Sequence, residues 1–269
     1  MPFDAHIHLD LYEREALEAM LTSTFGSGGS DSIDGVVAVS MGMESCLANR
    51  ELARRFPGRI LPAYGHHPEQ APLSEEELEA LCGWIRERGD EPFAIGEVGL
   101  PYYTRKEAEE RGEPFDLGPY RRQLERFVTL AAELDRPIAL HSVYEDADET
   151  IELLERYRVR RAHFHWFKGS PESVARMVDN GYFISVTPDV EYEKEIRELA
   201  TVYPLDRLMV ETDGPWPFEG SFAGKETEPG MVRAVIREIA ALRGLREDQV
   251  DAVVRRNTEL LYRWDLLQP

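Results

Sequence analysis

No stretch of this 269-residue chain approaches the roughly 20 consecutive apolar residues that a membrane-spanning helix needs, so no membrane partner is expected. The first residues hold no basic segment followed by an apolar core, and no secretory leader is expected either. Cysteine is scarce. Cys46 and Cys82 stand far apart, with no C-x-x-C spacing, which argues for two buried thiols in a reducing cytoplasm and against a disulfide or a thiolate metal site. Positive charge is scarce as well: 31 Lys and Arg face 51 Asp and Glu, for a net charge of −20. Such a surface repels nucleic acid as a whole. Any polyanionic substrate must then be held locally, by bound metal ions or a few arginines. The acidic excess lies mostly on helix faces, as in Ser74-Glu75-Glu76-Glu77, where it keeps the surface solvated. Missing too is the Gly-x-Gly-x-x-Gly turn that a nucleotide-binding doubly wound sheet carries after its first strand.

What is present is an alternation. Eight strand-like runs fall at 3–9, 35–41, 60–65, 92–100, 137–142, 161–167, 182–187 and 207–212. Most contain continuous apolar stretches, such as Val36-Val37-Ala38-Val39 and Phe183-Ile184-Ser185-Val186, as expected of parallel strands covered on both faces. Helical patterns separate them. Ser74 and Glu77 form a capping box ahead of Leu78, Leu81 and Ile85. Residues 119–135 carry Leu124, Phe127, Val128, Ala131 and Leu134 on one stripe, and Pro137 follows. Residues 229–243 carry Val232, Val235, Ile236 and Ile239, with Gly244 as a stop. Further helices are expected at 11–22, 43–56, 146–158, 171–180, 190–202 and 247–263. Eight strands alternating with helices over about 250 residues predict a single-domain (β/α)8 TIM barrel spanning 1–269, with an open doubly wound sheet as its rival. Three connections read as loops. Residues 23–34 are Gly/Ser-rich and precede a strand, so they belong on the N-terminal face. Residues 101–117 and 214–228 follow strands and should overhang the opposite face, as walls or lids of a pocket.

A barrel of this kind builds its site at the C-terminal strand ends, and the runs end in suggestive residues. All seven histidines lie in or just beyond a strand run. His6 and His8 alternate along the first, so they aim to one side with Ile7 turned away. The third ends in Tyr64-Gly65-His66-His67-Pro68-Glu69, the fifth in Leu140-His141-Ser142, and the sixth in His163-Phe164-His165. Glu97 sits between Ile95-Gly96 and Val98-Gly99, where a carboxylate would be buried and needs a cation. No lysine or arginine lies within seven positions of it. Asp213, after Leu208-Met209-Val210, raises the same need. Imidazoles and carboxylates converging on one rim would bind two divalent ions with open positions.

In these motifs the sequence resembles the TatD-type metal-dependent hydrolases, a branch of the amidohydrolase superfamily that includes deoxyribonucleases. They read Asp4-Ala5-His6-Ile7-His8-Leu9-Asp10, Gly65-His66-His67-Pro68, Ile95-Gly96-Glu97-Val98-Gly99-Leu100, Pro137-Ile138-Ala139-Leu140-His141-Ser142, His165-Trp166-Phe167-Lys168-Gly169-Ser170, Gly181-Tyr182-Phe183-Ile184-Ser185-Val186 and Glu211-Thr212-Asp213-Gly214-Pro215-Trp216. The resemblance covers nearly the whole chain. It implies that His6, His8, Glu97 and Asp213 hold one ion, and that Glu97 bridges to a second completed by His141 and His165. It also implies that Asp213 accepts a proton from the attacking water, so that Glu97 and Asp213 are the catalytic pair. His67, and Lys168 too, would lie near a substrate phosphate. His163 falls outside the ligand motif and is expected one layer deeper in the barrel. Two departures sit on the pocket rim: Pro101 stands where the family usually has aspartate, and His66 is an extra imidazole. The carbamylated lysine of other amidohydrolases has no candidate, since Lys106, Lys168, Lys194 and Lys225 are the only lysines and none lies in a strand run.

The leading expectation is a cytoplasmic two-metal phosphodiesterase, a 3′-to-5′ exonuclease-like deoxyribonuclease acting on DNA or nucleotide ends. His66, His67, Lys168, Tyr102 and Trp216 would contact substrate, the aromatics by stacking on unpaired bases. The ligand types admit zinc, manganese, magnesium or iron. A second expectation keeps the enzyme but has it cleave a small amide, lactone or ester. A third is a non-catalytic binding subunit, against which all six ligand positions speak.

Overall fold

The strand runs share one feature, continuous burial, and the computed structural model, which describes residues 1–26 and 32–267, assembles them into one parallel sheet. Its strands are β1 (Phe3–Ile7), β2 (Gly35–Ala38), β3 (Ile60–Tyr64), β4 (Ala94–Gly99), β5 (Ile138–His141), β6 (Ala162–Phe164), β7 (Phe183–Val186) and β8 (Leu208–Val210), and every strand residue is buried. Neighbours in sequence are neighbours in space, β1 to β8 in order, each pair parallel. The helices are α1 (Arg14–Phe25), α2 (Met43–Arg55), α3 (Glu75–Arg86), α4 (Tyr102–Glu110), α5 (Gly118–Glu133), α6 (Asp146–Tyr157), α7 (Pro171–Asn180), α8 (Lys194–Val202), α9 (Val232–Arg243) and α10 (Glu247–Tyr262). This is the expected (β/α)8 barrel. No described helix is long and apolar enough to cross a membrane.

Strand alternation divides the core in two. Val36, Ala38, Ile60, Ile138, Leu140, Ile184, Leu208 and Val210 face the helices. Ala5, Val37, Val39, Leu61, Ala63, Ala94, Ala139, Phe183 and Met209 fill the interior. At the N-terminal end this interior is plugged by Phe3 against Trp264, ring centroids 4.4 Å apart, with Tyr262 beside them. The capping box of α3 forms as read: Ser74 Oγ accepts from Glu77 N, and Glu77 accepts from Ser74 N at 2.9 Å. Both cysteines are buried thiols, as expected.

Two strands break the alternation, and both carry site residues. The register between β1 and β2 shifts between Asp4 and Ile7, and that between β4 and β5 shifts between Ile95 and Val98. Ala5 faces inward, yet Ile7 packs among the outer residues; Ile95 and Val98 both face outward. Each irregularity re-aims the following side chains, so His6 and Glu97 point into the barrel. Gly99 lets β4 and β5 close up beyond this point. A Cβ there would lie 1.8 Å from the His141 carbonyl oxygen.

β8 and β1 meet differently from the other pairs. Their junction closes just past the end of β8, where Asp213 N donates to His6 O at 2.9 Å and His8 N to Gly214 O at 2.8 Å. The buried Asp4 carboxylate adds a side-chain stitch. It accepts from Thr212 N at 3.0 Å and His6 N at 3.2 Å, and from the Thr212 hydroxyl.

Several expected boundaries contract. β1, β6 and β8 stop before His8, His165 and Asp213, because the backbone turns toward the site there; Trp166 and Asp213 take positive φ of 38° and 49°. The expected loop 101–117 is corrected, since it contains α4. Local sequence offers this helix no capping side chain of its own. Its cap comes from Glu69, whose carboxylate accepts from Tyr103 N and Thr104 N at 2.9 and 2.7 Å. Of the expected 23–34 connector, residues 23–25 belong to α1, and 27–31 lie outside the described residues.

The seam yields a stability prediction. Asp4→Ala leaves the amides of His6 and Thr212 without their acceptor, and a buried unsatisfied donor costs about 1–3 kcal/mol. The denaturant midpoint should fall accordingly with an unchanged m-value. A midpoint equal to wild type would show that the stitch adds nothing.

Candidate metal centre

Five strand ends and the loop after β3 deliver their side chains to one buried point, the Glu97 carboxylate, which is fully shielded from solvent. Oε2 faces His6 Nε2 and His8 Nε2, each at 3.1 Å. Oε1 faces His165 Nε2 at 2.8 Å, His141 Nδ1 at 3.0 Å and His67 Nε2 at 3.3 Å. Asp213 Oδ1 lies 3.4 Å from His6 Nε2 and 3.5 Å from His8 Nε2. His141 Nδ1 and His165 Nε2 are 3.2 Å apart. Two clusters thus share one carboxylate, one oxygen each.

The spacing suits divalent ions. Ligand atoms at about 2.1 Å from a tetrahedral ion lie about 3.4 Å from one another, and the separations here run from 2.8 to 3.5 Å. Asp213 Oδ1 is buried with no hydrogen-bond partner among the described residues, as a vacant lone pair for a cation requires. The electrostatics agree. Burial pushes Glu97 up, yet positive charge on His67, His165 and His6 would hold it well below the usual carboxylate range. Burial likewise pulls His8 down, but Asp213 and Glu97 outweigh it and raise His8 to about 10. His141 and His165 also move upward against burial, His141 through Glu69 and Glu97 and His165 through Glu97 and Glu211. The carboxylates therefore demand several positive charges in this small volume, and divalent cations of the kind that bind imidazole and carboxylate meet the demand.

The sequence-expected residues divide as follows. His6, His8, Glu97, His141, His165 and Asp213 come together. His67 joins them, as near to Glu97 as a ligand would be. His66 is not among them: its Nε2 donates to the Ala71 carbonyl at 3.0 Å. Tyr102, Trp216 and Lys168 lie around the rim. The Tyr102 ring packs 4.8 Å from Tyr144, and Tyr103 sits 6.0 Å from His141. Across the mouth, the exposed Trp216 meets Trp166 edge-on at 5.7 Å, and Lys168 Nζ is 5.8 Å from the Trp166 ring. Arg105 and Lys106 are engaged by Glu145, Asp146 and Glu109.

His163 lies one layer deeper, as expected. It joins a buried polar column in which Nδ1 meets the Tyr262 hydroxyl at 2.6 Å and Nε2 meets Ser185 Oγ at 2.5 Å. Ser185 in turn donates to Glu211, which also accepts from Trp166 N at 2.7 Å and lies 3.6 Å from His165 Nδ1. Sequence reasoning left Glu69 and Glu211 without a role. Each backs an imidazole from behind: Glu69 Oε1 lies 3.1 Å from His141 Nε2. Glu69 is held at about 2, burial notwithstanding, by the hydrogen bonds from His141 and Thr104. The usable signal was position alone: Glu211 follows β8 directly, and Glu69 lies in the loop after β3.

The family model for TatD related DNase matches residues 3–263. The chain belongs to that family. An uncharacterized metal-dependent hydrolase of Haemophilus influenzae is 36% identical over 263 residues, covering 98% of this chain and 100% of its own. The metal-dependent hydrolase YcfH of Escherichia coli K12 is 28% identical over 268 residues, covering 97% and 96%. Among solved structures, the TatD homologue YjjV of Escherichia coli superposes with a TM-score of 0.79 at 25% identity, over 97% of this chain and 98% of that one. The expectation of a TatD-type metal-dependent hydrolase is thereby met at the level of the family.

Protons and divalent ions compete for the same nitrogens. His8, His141 and His165 are raised in the metal-free protein, so each holds its proton to higher pH and must release it when an ion binds. Zinc affinity, measured by chelator competition, should therefore go on rising with pH above the ordinary histidine range, with proton release on binding. A flat profile would contradict this cluster as the binding site.

Proposed function

We propose that this chain is a two-metal phosphodiesterase that shortens DNA from an end. The observation that carries the reading is the division of one buried carboxylate between two donor clusters, Glu97 Oε2 with His6 and His8, and Glu97 Oε1 with His141 and His165. In this reading Asp213 completes the first set. Bound divalent ions supply positive charge for a phosphate and acidity for a water, and a pair can stabilise both the attacking and the leaving oxygen of a displacement.

The protein's own groups do the rest. Glu97 keeps the two clusters in register. Asp213, anchored by its amide to His6 O and with Oδ1 free, accepts the proton of the attacking water. His67 and Lys168 reach toward the phosphate. The rim offers two aromatic walls, Tyr102 with Tyr103 and Tyr144 on one side, and Trp166 with Trp216 and Phe218 on the other. Walls of this kind hold unpaired bases by stacking, each worth about 1–3 kcal/mol. A chain of net charge −20 needs such contacts, because its general field repels the substrate.

A second reading has its own observation. The nearby cations Arg105 and Lys106 are already paired with carboxylates, which leaves little to track a long phosphate backbone and suits hydrolysis of a small ester, lactone or amide. End-labelled single-stranded DNA and a panel of small carbonyl esters, tested on metal-loaded protein, separate the two. The nuclease reading expects stepwise shortening of DNA with magnesium or manganese. Asp213→Asn and Glu97→Ala should each abolish shortening while circular dichroism stays that of the folded barrel. Trp216→Ala should raise KM about 5- to 150-fold with kcat little changed, as loss of one stacked base would. Intact DNA beside turnover of a carbonyl ester would move the assignment to the second reading.

A further inference from the structure

Glu97 Oε1 faces three imidazoles, those of His67, His141 and His165. If all three bound the second ion, no nitrogen would remain to donate a proton to substrate. The loop after β3 resolves the crowding. Within one residue, Glu69 makes two opposite hydrogen bonds. Its backbone N–H donates to His67 Nδ1 at 3.2 Å. Its carboxylate lies 3.1 Å from His141 Nε2. A neutral imidazole carries a single N–H, and a ring nitrogen that accepts a hydrogen bond carries none. His67 Nδ1 accepts, so its proton sits on Nε2, the nitrogen that faces the centre. A carboxylate only accepts, so the His141 proton sits on Nε2, and the lone pair is left on Nδ1, also facing the centre.

We infer that Glu69 is a positioning residue that sorts these two histidines, making His141 a metal ligand through Nδ1 and His67 an Nε2–H donor to substrate oxygen. The same carboxylate caps α4 through Tyr103 N and Thr104 N. It therefore also ties the aromatic wall carrying Tyr102 and Tyr103 to the orientation of a ligand. A donor beside the second cluster suits an oxygen that becomes more negative as the bond to it forms or breaks. The inference rests on the reading of this cluster as a metal centre.

The test reads tautomers and affinity. Long-range ¹H–¹⁵N spectra of zinc-loaded wild-type protein, assigned with His67→Gln and His141→Gln, report which ring nitrogen bears the proton and which the metal. The expected result is a metal-free His67 protonated at Nε2, and His141 protonated at Nε2 with Nδ1 on zinc. His67 bound to zinc through Nε2 would overturn the inference. Protein that takes up no zinc would instead overturn the metal-centre reading beneath it. In parallel, Glu69→Ala should weaken the second zinc about 10- to 100-fold, the usual effect of losing a carboxylate behind a ligating histidine. The first zinc should be unchanged. Glu69→Gln keeps an oxygen that can accept from His141 and should recover part of the loss. Unaltered affinity for both ions in a folded Glu69→Ala, checked by thermal unfolding of the metal-free protein, would remove the role assigned to the carboxylate; if that variant fails to fold, the wild-type spectra decide.

Discussion

A carboxylate sealed inside a barrel of apolar strands is a debt of negative charge, and Glu97 is that carboxylate. Burial of an unpaired charge costs several kcal/mol, so its surroundings must supply the opposite sign. Among the described residues no lysine or arginine contacts it. Five imidazoles do, and they are themselves neutral bases that acquire positive charge only by taking protons or by sharing a cation. The arrangement is stable in one of two forms, protonated or metal-loaded. Much of the site follows from meeting this demand: the convergence of strand ends, and the second row of acids, Glu69 and Glu211, that steers the rings from behind.

The geometry that brings these groups together is a departure from regularity. A perfectly alternating β4 would send Glu97 to the helix-facing side with Ile95. The shift between Ile95 and Val98 turns it inward, and the matching shift in β1 does the same for His6 and His8. Past the strand ends, positive φ at Trp166 and Asp213 turns the chain within one residue. The backbone spends its irregularities at the rim and keeps the lower barrel regular, where small interior residues such as Ala63, Ala94 and Ala139 let the strands pack closely.

How far the sequence revealed this depends on the range of each interaction. The barrel was legible because parallel strands buried on both faces write themselves as apolar runs, and because helix caps such as Ser74 and Glu77 are local. The convergence of His6, His8, Glu97, His141, His165 and Asp213 was legible because each lies in or just beyond such a run. α4 was not, since its cap arrives from Glu69, 34 positions away. Nor was the fate of His66, whose ring is claimed by the Ala71 carbonyl. Adjacent histidines look equivalent in a sequence, and only their hydrogen-bond partners tell them apart. The tautomers of His67 and His141 belong to the same class of fact.

The seam between β8 and β1 carries a further consequence, for the order of assembly. Asp4 and Thr212 stand 208 positions apart, and the residues they flank, His6, His8 and Asp213, make up most of one cluster. The barrel's first strand therefore carries two members of a binding set whose last member, Asp213, follows only its final strand. A nascent chain lacking β8 has two histidines and no Asp213 to set beside them. Long-range closure of this kind is entropically slow, but it gives the growing polypeptide a safeguard: the complete constellation, and any cleavage it performs, comes into being only with the finished ring.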